Sequence, residues 1–322
     1  MANAPLFTVF TPTYNRAHTL HRVYDGLRAQ SLRDFEWLVV DDGSTDNTAT
    51  LIADWAKSAD FSIRYFKQEH LGKHFAHNLA VREARGQMFV PLDSDDACVP
   101  DALERMMYWW NTIPPDQRAE FCGVTGLSID QHGKLVGHRF PSEPLDATLR
   151  ELRYVHHVMG EKGTCRLTEV LRQYPFPEVA QGQYLPEGIV WLDVAKRFKS
   201  RAVNEIFRIY YIDDTEPGVT ENRKKNLGAH ALGRWHFYIW LLNNDLEYFF
   251  HSPMPFLKAA VMLPVVTRLA DQSFNSTFLR MESNWARVLV LLALPLAGLL
   301  YAAHKTRSPN TPKQKQNYLH LR

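Results

Sequence analysis

Met88-Phe89-Val90-Pro91-Leu92-Asp93-Ser94-Asp95-Asp96 is an apolar run, long enough only for a buried strand, that stops at three carboxylates within four positions. On a strand or at its exit, Asp93 and Asp95 project to one side, because side chains repeat with period two. Two convergent carboxylates repel each other and raise each other's pKa unless a cation sits between them. Carboxylate oxygens suit a hard divalent ion, and Mg2+ or Mn2+ commonly completes its shell with water and substrate phosphates. The stretch therefore predicts a metal that holds a diphosphate. Alone, it also reads as an acidic loop capping a helix that begins near Pro100, so the neighbouring segments have to decide.

Upstream, Leu6 to Phe10 reads as a strand ended by Pro12 in Thr11-Pro12-Thr13-Tyr14-Asn15-Arg16, and a helical pattern (Leu20, Val23, Tyr24, Leu27) follows to about Gln30. Trp37 to Val40 is a second strand, running into Asp41-Asp42-Gly43-Ser44-Thr45-Asp46. Ser44 or Asp46 is placed to cap the next helix, whose apolar face is Leu51, Ile52 and Trp55. Ile63 to Phe66 is a third strand, followed by a helix with Phe75, Leu79 and Ala80, then Gly86 and the Met88 strand. This alternation predicts an α/β fold with a mostly parallel sheet flanked by helices. Ligands of such sheets bind outside the carboxyl ends of the strands. Thr11 to Arg16, Asp41-Asp42 and Asp93 to Asp96 should then gather along one rim. A nucleotide fits there: one carboxylate accepts from base or ribose, and the last pair holds the metal. No Gly-rich Walker or dinucleotide loop is present, so phosphate charge falls to metal and side chains. Lys73, just ahead of its helix, is placed to help.

Thr11-Pro12-Thr13-Tyr14-Asn15-Arg16, Val39-Val40-Asp41-Asp42-Gly43-Ser44-Thr45-Asp46, Asn78 with Ala84 and Gly86, and Leu92-Asp93-Ser94-Asp95-Asp96 together resemble the N-terminal signature of family 2 glycosyltransferases. The resemblance implies a GT-A (Rossmann-like) fold, a nucleotide-diphosphate sugar donor, Mn2+ or Mg2+, and inversion at the anomeric carbon. It also implies a donor site of Thr11, Tyr14, Arg16, Asp41, Asp42, Lys73, Asp93 and Ser94. Within it Asp41 would contact the base, Asp93 the ribose or metal, and Asp95 the metal. His74-Phe75-Ala76-His77 departs from the pattern by lacking the Ala-Arg often found before Asn78.

Further on, Phe121 to Ile129 is strand-like, and Lys134 to Phe140 reads as its hairpin partner across a turn at Asp130 to Gly133. This half should carry the acceptor site. Inverting transfer is a single displacement and needs one base for the acceptor hydroxyl. A carboxylate on a pocket wall, its pKa raised by burial, suits that task. Glu187 opens a helix through Val190, Trp191, Val194 and Phe198, where the helix dipole also favours a glutamate. Gly160-Glu161-Lys162, Tyr174-Pro175-Phe176-Pro177 and Glu187 with Trp191 four residues later resemble the bacterial surface-polysaccharide branch of the family. That resemblance makes Glu187 the base, with Asp193 in reserve. Ile206 to Ile212 leads to Asp213-Asp214-Thr215-Glu216-Pro217-Gly218-Val219-Thr220, which reads as a lid or a plain connection.

At 322 residues, 45% apolar and 22% charged, the chain can bury a full core. A net charge of +2, without basic-aromatic motifs, excludes a nucleic-acid binder. Cys98, Cys122 and Cys165 match neither a disulfide framework nor a zinc pattern, which fits a reducing compartment. No signal peptide is expected at the N-terminus, which lacks a basic n-region and a long apolar stretch, and the bulk should stay cytoplasmic. From about Leu227 the composition turns aromatic and apolar. Val288 to Ala303 holds sixteen uncharged residues, a helix of about 24 Å against the roughly 30 Å of a bilayer core, and it contains Pro295 and Gly298. Acids are missing after Glu282, whereas Arg287, Lys305, Arg307, Lys313, Lys315 and Arg322 are basic. Peripheral attachment to the anionic inner face of the cell membrane is expected in preference to spanning. Packing on the core or on a second copy of the chain is the other reading.

The expected organisation is a GT-A domain over 1–225, a helical membrane-associating region over 226–307 and a polar basic tail over 308–322. The expected function is inverting, metal-dependent sugar transfer to a glycan or lipid-linked acceptor in surface polysaccharide synthesis. Two rivals stand beside it: a nucleotidyltransferase, which would normally carry a Gly-rich basic loop, and a non-catalytic membrane-docking protein on a transferase fold.

Overall fold

In the computed structural model, which describes residues 4–212, 227–228 and 230–307, the predicted alternation is realised as β1 (Phe7–Thr13), α1 (Leu20–Arg28), β2 (Phe35–Asp41), α2 (Thr48–Ser58), β3 (Ser62–Lys67), α3 (Lys73–Glu83) and β4 (Met88–Pro91). Then come β5 (Ala97–Cys98), α4 (Ala102–Asn111), β6 (Phe121–Asp130), β7 (Leu145–Ala147), β8 (Lys162–Leu167), α5 (Thr168–Gln173), α6 (Gly188–Val194) and β9 (Lys199–Tyr210). One sheet runs β3-β2-β1-β4-β8-β6-β9-β5, with β7 also on β9. It is parallel across β3, β2, β1 and β4. Beyond β4 it is mixed, with β8 antiparallel to both β4 and β6 and β9 parallel to β6.

Alternate residues of the parallel strands serve two cores, as expected for a sheet covered on both faces. Phe7, Val9, Trp37, Val39, Met88 and Val90 pack with Leu20, Val23 and Leu27 of α1 and Leu103 and Met106 of α4. Phe10, Leu38, Val40 and Phe89 face Ala76 and Ala80 of α3 and Leu171 of α5. The chain leaves β1 toward β2 but finds β4 on the other side. The crevice where strand order reverses therefore lies between the carboxyl ends of β1 and β4, as the rim argument requires.

Three expectations are corrected. Pro12 does not end β1; it pairs in register with Val40. The Phe10 carbonyl accepts from Leu92 N on the β4 side, and Pro12 faces that same side after pairing with β4 has stopped, so no ladder bond is lost. Lys134 to Phe140 is not a strand: the hairpin shrinks to one bridge, Ile129 to Leu135, because β6 already has β8 and β9 as neighbours. The Asp130 carboxylate instead closes the turn by accepting from His132 N and Lys134 N, both at 2.9 Å. The third correction concerns the last helix.

The C-terminal region contributes α7 (Ala231–Asn244), α8 (Pro253–Leu269), α9 (Phe274–Leu279) and α10 (Asn284–Arg307). α10 runs 24 residues straight through Pro295, about 36 Å long, so the argument from shortness against spanning falls. It is the one helix among the described residues long and apolar enough to cross a membrane by length and composition. The core of this region takes in Tyr154 and Leu192 from the α/β part beside Trp235, Leu242, Phe256 and Leu263. Arg150, before a π-helical turn at Glu151–Val155, pairs with the fully buried Asp245 just after α7. Asp245 also accepts from Tyr154 Oη at 2.7 Å. The candidate lid at 213–220, the expected boundary at 225/226 and the tail lie outside the described residues.

Removing the cation from that buried pair strands a carboxylate. Arg150→Met should therefore destabilise the protein by about 3–5 kcal/mol in urea unfolding. A loss below about 1 kcal/mol, the worth of a surface pair, would show that the pair does not fasten the two parts together.

Candidate active site

After β4, Leu92 N still donates to Phe10 O, and Asp96 N then donates to Asp93 O at 3.1 Å, turning the chain at the mouth of the crevice. Asp96 points inward, almost fully buried. It accepts from Arg208 Nε at 2.7 Å, from Arg208 Nη2, and from Tyr211 N at 3.0 Å. Arg208 Nη2 also donates to Asp93 Oδ2 at 2.7 Å. Asp93 Oδ1 accepts from Lys73 Nζ at 2.5 Å, and the same ammonium lies 2.7 Å from Glu187 Oε1. Asp96, Arg208, Asp93, Lys73 and Glu187 thus form one chain of alternating charge from the sheet interior to the N-terminus of α6.

The ionisation states follow. Burial opposes charge on Asp93, but Lys73 and Arg208 outweigh it and hold the carboxyl well below the usual range. Burial acts on Glu187 the same way and is outweighed by Lys73, so its pKa is lowered. This reverses the expectation of a burial-raised base: the sequence offered no sign that Lys73 would reach it. For Asp96 burial wins, and Asp93 and Asp95 add to it, pushing the carboxyl up to about 7 against the pull of Arg208.

The other two strand exits are stitched together. Asn15 N donates to Ser44 Oγ at 2.8 Å, Thr45 N to Asn15 Oδ1 at 2.8 Å, and Ala17 N to Asp46 Oδ2 at 3.1 Å. Of the two expected helix caps, Asp46 serves α2 by accepting from Thr48 N, whereas Ser44 is spent on this crosslink. Asp41 is fully buried and uses both oxygens internally, accepting from Ser44 N at 2.7 Å and Tyr65 Oη at 2.5 Å. Asp42 accepts from Gln68 Nε2, Leu71 N and Gly72 N, and its Oδ2 lies 3.0 Å from His70 Nδ1. It thereby fixes the loop that delivers Lys73, with Gly72 at φ +109, a backbone shape that favours glycine.

Among the sequence-predicted residues, then, Lys73, Asp93 and Glu187 come together directly. Tyr14 is half-exposed on the rim and stacks on His70 with centroids 4.2 Å apart. Arg16 Nη1 stands 3.9 Å from Asp95 Oδ2. Ser94 is buried in the turn. Thr11 is the exception: it sits inside the sheet, fully buried, and accepts from Trp37 Nε1 at 3.0 Å. His77 brings no charge to the rim. Burial pushes it down to about 3, and rings of Phe10, Phe89, Phe176 and Trp191 surround it. Arg208, Asp96, Tyr65 and His70 were missed by sequence reasoning. Only Asp96 carried a signal, as the third carboxylate of the turn.

Among the described residues, no three His, Cys, Asp or Glu side chains gather as a metal shell. Asp93 is already balanced by two cations. Asp95 keeps a carboxylate at the rim, 36% exposed, with only a distant guanidinium as partner. The donor set therefore fits a hard divalent ion that takes few protein oxygens and completes its shell from phosphate and water.

Comparisons with known proteins bear on this geometry. The family model described as glycosyl transferase family 2 matches residues 8–149, which span β1 to the segment after β7. The chain is 30% identical over 143 residues to an Escherichia coli chondroitin synthase, covering 44% of this chain and 20% of that protein. It is 36% identical over 139 residues to a Pasteurella multocida hyaluronan synthase, covering 42% of this chain and 14% of that protein. The chain thus spans a small part of these relatives' length. Among solved structures, S. aureus TarS 1–349 in complex with UDP-GlcNAc superposes with a TM-score of 0.56 at 17% identity, covering 92% of this chain and 91% of that one. A Pyrobaculum calidifontis mannosyltransferase in complex with GDP-Man and Mn2+ gives 0.54 at 20% identity, covering 95% and 83%. These likenesses establish the GT-A fold through the C-terminal helices.

Replacing Arg208 leaves Asp96 buried without a counter-charge, so Arg208→Met should cost about 3–5 kcal/mol near neutral pH. Asp93, depressed in the folded state, gives stability that is present above its ordinary pKa of about 3.9 and lost as pH falls below it. The Asp93 part of the gap between variant and wild type should therefore persist down to about pH 4 and narrow only below it. A gap independent of pH in denaturant titrations would disprove the charge assignment.

Proposed function

We propose that the chain is an inverting, metal-dependent glycosyltransferase that moves a sugar from a nucleotide-diphosphate donor to a glycan or lipid-linked acceptor. The observation that carries this reading is the Lys73 ammonium shared between Asp93, at the strand exit, and Glu187, at the start of α6. It puts a candidate base and a candidate diphosphate site on one crevice. The chondroitin and hyaluronan synthase relatives and the UDP-GlcNAc and GDP-Man complexes support a nucleotide sugar as donor.

On this reading the base and ribose lie against the Tyr14–His70 shelf. Asp42 sets that shelf from behind, and Asp41 braces the loop through Ser44. Asp93 and Asp95 hold the cation, with Asp95 the more available of the two; when bound, Mn2+ or Mg2+ neutralises charge on the departing diphosphate. The acceptor oxygen attacks the anomeric carbon as the bond to the diphosphate breaks, and its proton passes to a Glu187 carboxylate oxygen. Trp191 Nε1, 3.4 Å from Glu187 Oε2, steadies the other oxygen. Holding the reactants in line supplies much of the remaining advantage.

The α10 surface supports attachment to an anionic membrane. Trp285, Val288, Leu292, Leu296 and Leu299 are exposed at spacings of three and four, one helical face, and Phe250 and Leu279 add to the apolar area. Basic Arg280, Arg287 and Lys305 accompany it.

Glu187→Gln should cut transfer by about 10²–10⁴-fold while leaving the thermal shift given by a nucleoside diphosphate with Mn2+ unchanged. Transfer within tenfold of wild type would remove Glu187 as the base. A Leu292→Glu/Leu299→Glu variant should stop floating with phosphatidylglycerol vesicles in a density gradient; full retention would place the contact elsewhere.

A further inference from the structure

Trp191 stands one turn after Glu187 in α6, so the two side chains share a helix face, and the indole Nε1 donates to Glu187 Oε2 at 3.4 Å. Lys73 holds the other oxygen, Oε1, at 2.7 Å. The carboxylate of the candidate base is therefore set from two sides, by an ammonium and by an indole. The indole is itself fixed from the sheet.

Arg166 on β8 places its guanidinium carbon 4.1 Å from the centre of the Trp191 ring. His77 and Phe176 meet the same indole edge-on, with centroids 5.4 and 5.8 Å away. Burial holds His77 neutral, its pKa pushed down to about 3, so Arg166 is the charged member of this set. Arg64, Arg201 and Arg208, the other arginines of the sheet, each reach a carboxylate. Arg166 makes no ion pair among the described residues: Nη1 donates to Thr164 Oγ1 at 2.9 Å, and the face of Trp191 stands where a carboxylate would. Glu187 is the carboxylate whose charge reaches it. The backbone beneath Arg166 has little room to shift. β8 lies between β4 and β6, with Arg166 opposite Phe89 and Gly123. A Cβ on Gly123 would stand 2.8 Å from Arg166 Cα, so β6 comes in close against this residue.

We propose that Arg166 is a positioning residue for sugar transfer: it locks the Trp191 indole, and the indole holds the Glu187 carboxylate toward the acceptor hydroxyl. The proposal rests on the transferase reading for the role of Glu187, whereas the contact itself can be tested without turnover. Arg166 acts through Trp191 and not on the reacting atoms. With a neutral side chain at 166, His77 and Phe176 would keep the ring packed without fixing the direction of its N–H, because apolar packing is non-directional. Glu187 would then keep Lys73 and lose its second hold.

The test follows the Trp191 indole N–H in ¹⁵N–¹H spectra of the full chain, assigned by its loss in Trp191→Phe. In the wild type, Glu187→Gln should move this resonance, because it changes the acceptor of the hydrogen bond. In Arg166→Gln the resonance should shift and no longer answer to Glu187→Gln. Its kcat should fall by about 10–10²-fold, with the donor KM held within about twofold. Arg166→Lys, which keeps a cation over the ring, should restore the resonance and most of kcat. Trp191→Phe should lose as much kcat as Arg166→Gln, and the two together no more than either alone. The thermal shift with nucleoside diphosphate and Mn2+ is the folding control. An indole resonance that answers equally to Glu187→Gln with and without Arg166 overturns the proposal. Additive losses in the double variant overturn it too, as does a loss that Arg166→Lys does not reduce. Unchanged kcat in Trp191→Phe does so whether or not Arg166→Gln folds. Absence of transfer by the wild type, with the indole coupling intact, counts against the transferase reading alone.

Discussion

The Asp96–Arg208 pair is the constraint on which the site depends. A guanidinium taken into the interior of a mixed sheet is tolerable only with a carboxylate beside it. Asp96 supplies that carboxylate from the turn after β4, and β9 supplies Arg208 from more than a hundred residues away. Once made, the pair ties the parallel half of the sheet to the mixed half. It also leaves one guanidinium nitrogen directed at Asp93. Asp93 in turn holds Lys73, and Lys73 holds Glu187. A burial problem inside the sheet thus positions the polar groups at its rim.

The parallel half was legible from sequence because its signals are local. Strand, polar exit and capped helix recur at short range, and period-two burial on β1, β2 and β4 needs no knowledge of partners. The carboxylates of the rim were legible for the same reason. Arg208 was not, because nothing in Ile206 to Ile212 distinguishes an arginine paired within a sheet from one facing water. Thr11 was misplaced because Pro12 reads as a strand end, and only the early termination of β4 pairing lets the strand continue. The failed hairpin at Lys134 to Phe140 has a like cause: a competent turn cannot win an edge that β8 and β9 already occupy.

The helical region shows where local reading meets its limit. Counting uncharged residues from Val288 to Ala303 gave a helix too short to span. Helix ends, however, are set by backbone bonding, and Asn284 to Arg287 and His304 to Arg307 extend α10 past both ends of that run. Its buried residues, Ala286, Val290 and Ala297, are few and small, so α8 is approached closely along one narrow stripe while the bulky leucines face away. That division suits a helix lying against protein on one side and lipid on the other.

The charges along the crevice bear on how the donor would enter. Along the crevice, Asp93, Asp95, Asp96 and Glu187 stand among Arg16, Lys73 and Arg208, and Arg166 acts on Glu187 as a fourth cation, so the named charges balance. With these groups ionised the rim has no net charge to draw in an anionic donor. A divalent ion at Asp95 would make the rim positive, so on this reading the metal favours entry of the donor as well as departure of the diphosphate. The lowered pKa of Glu187 fits that setting: the group stays ionised beside the diphosphate because Lys73 stands next to it.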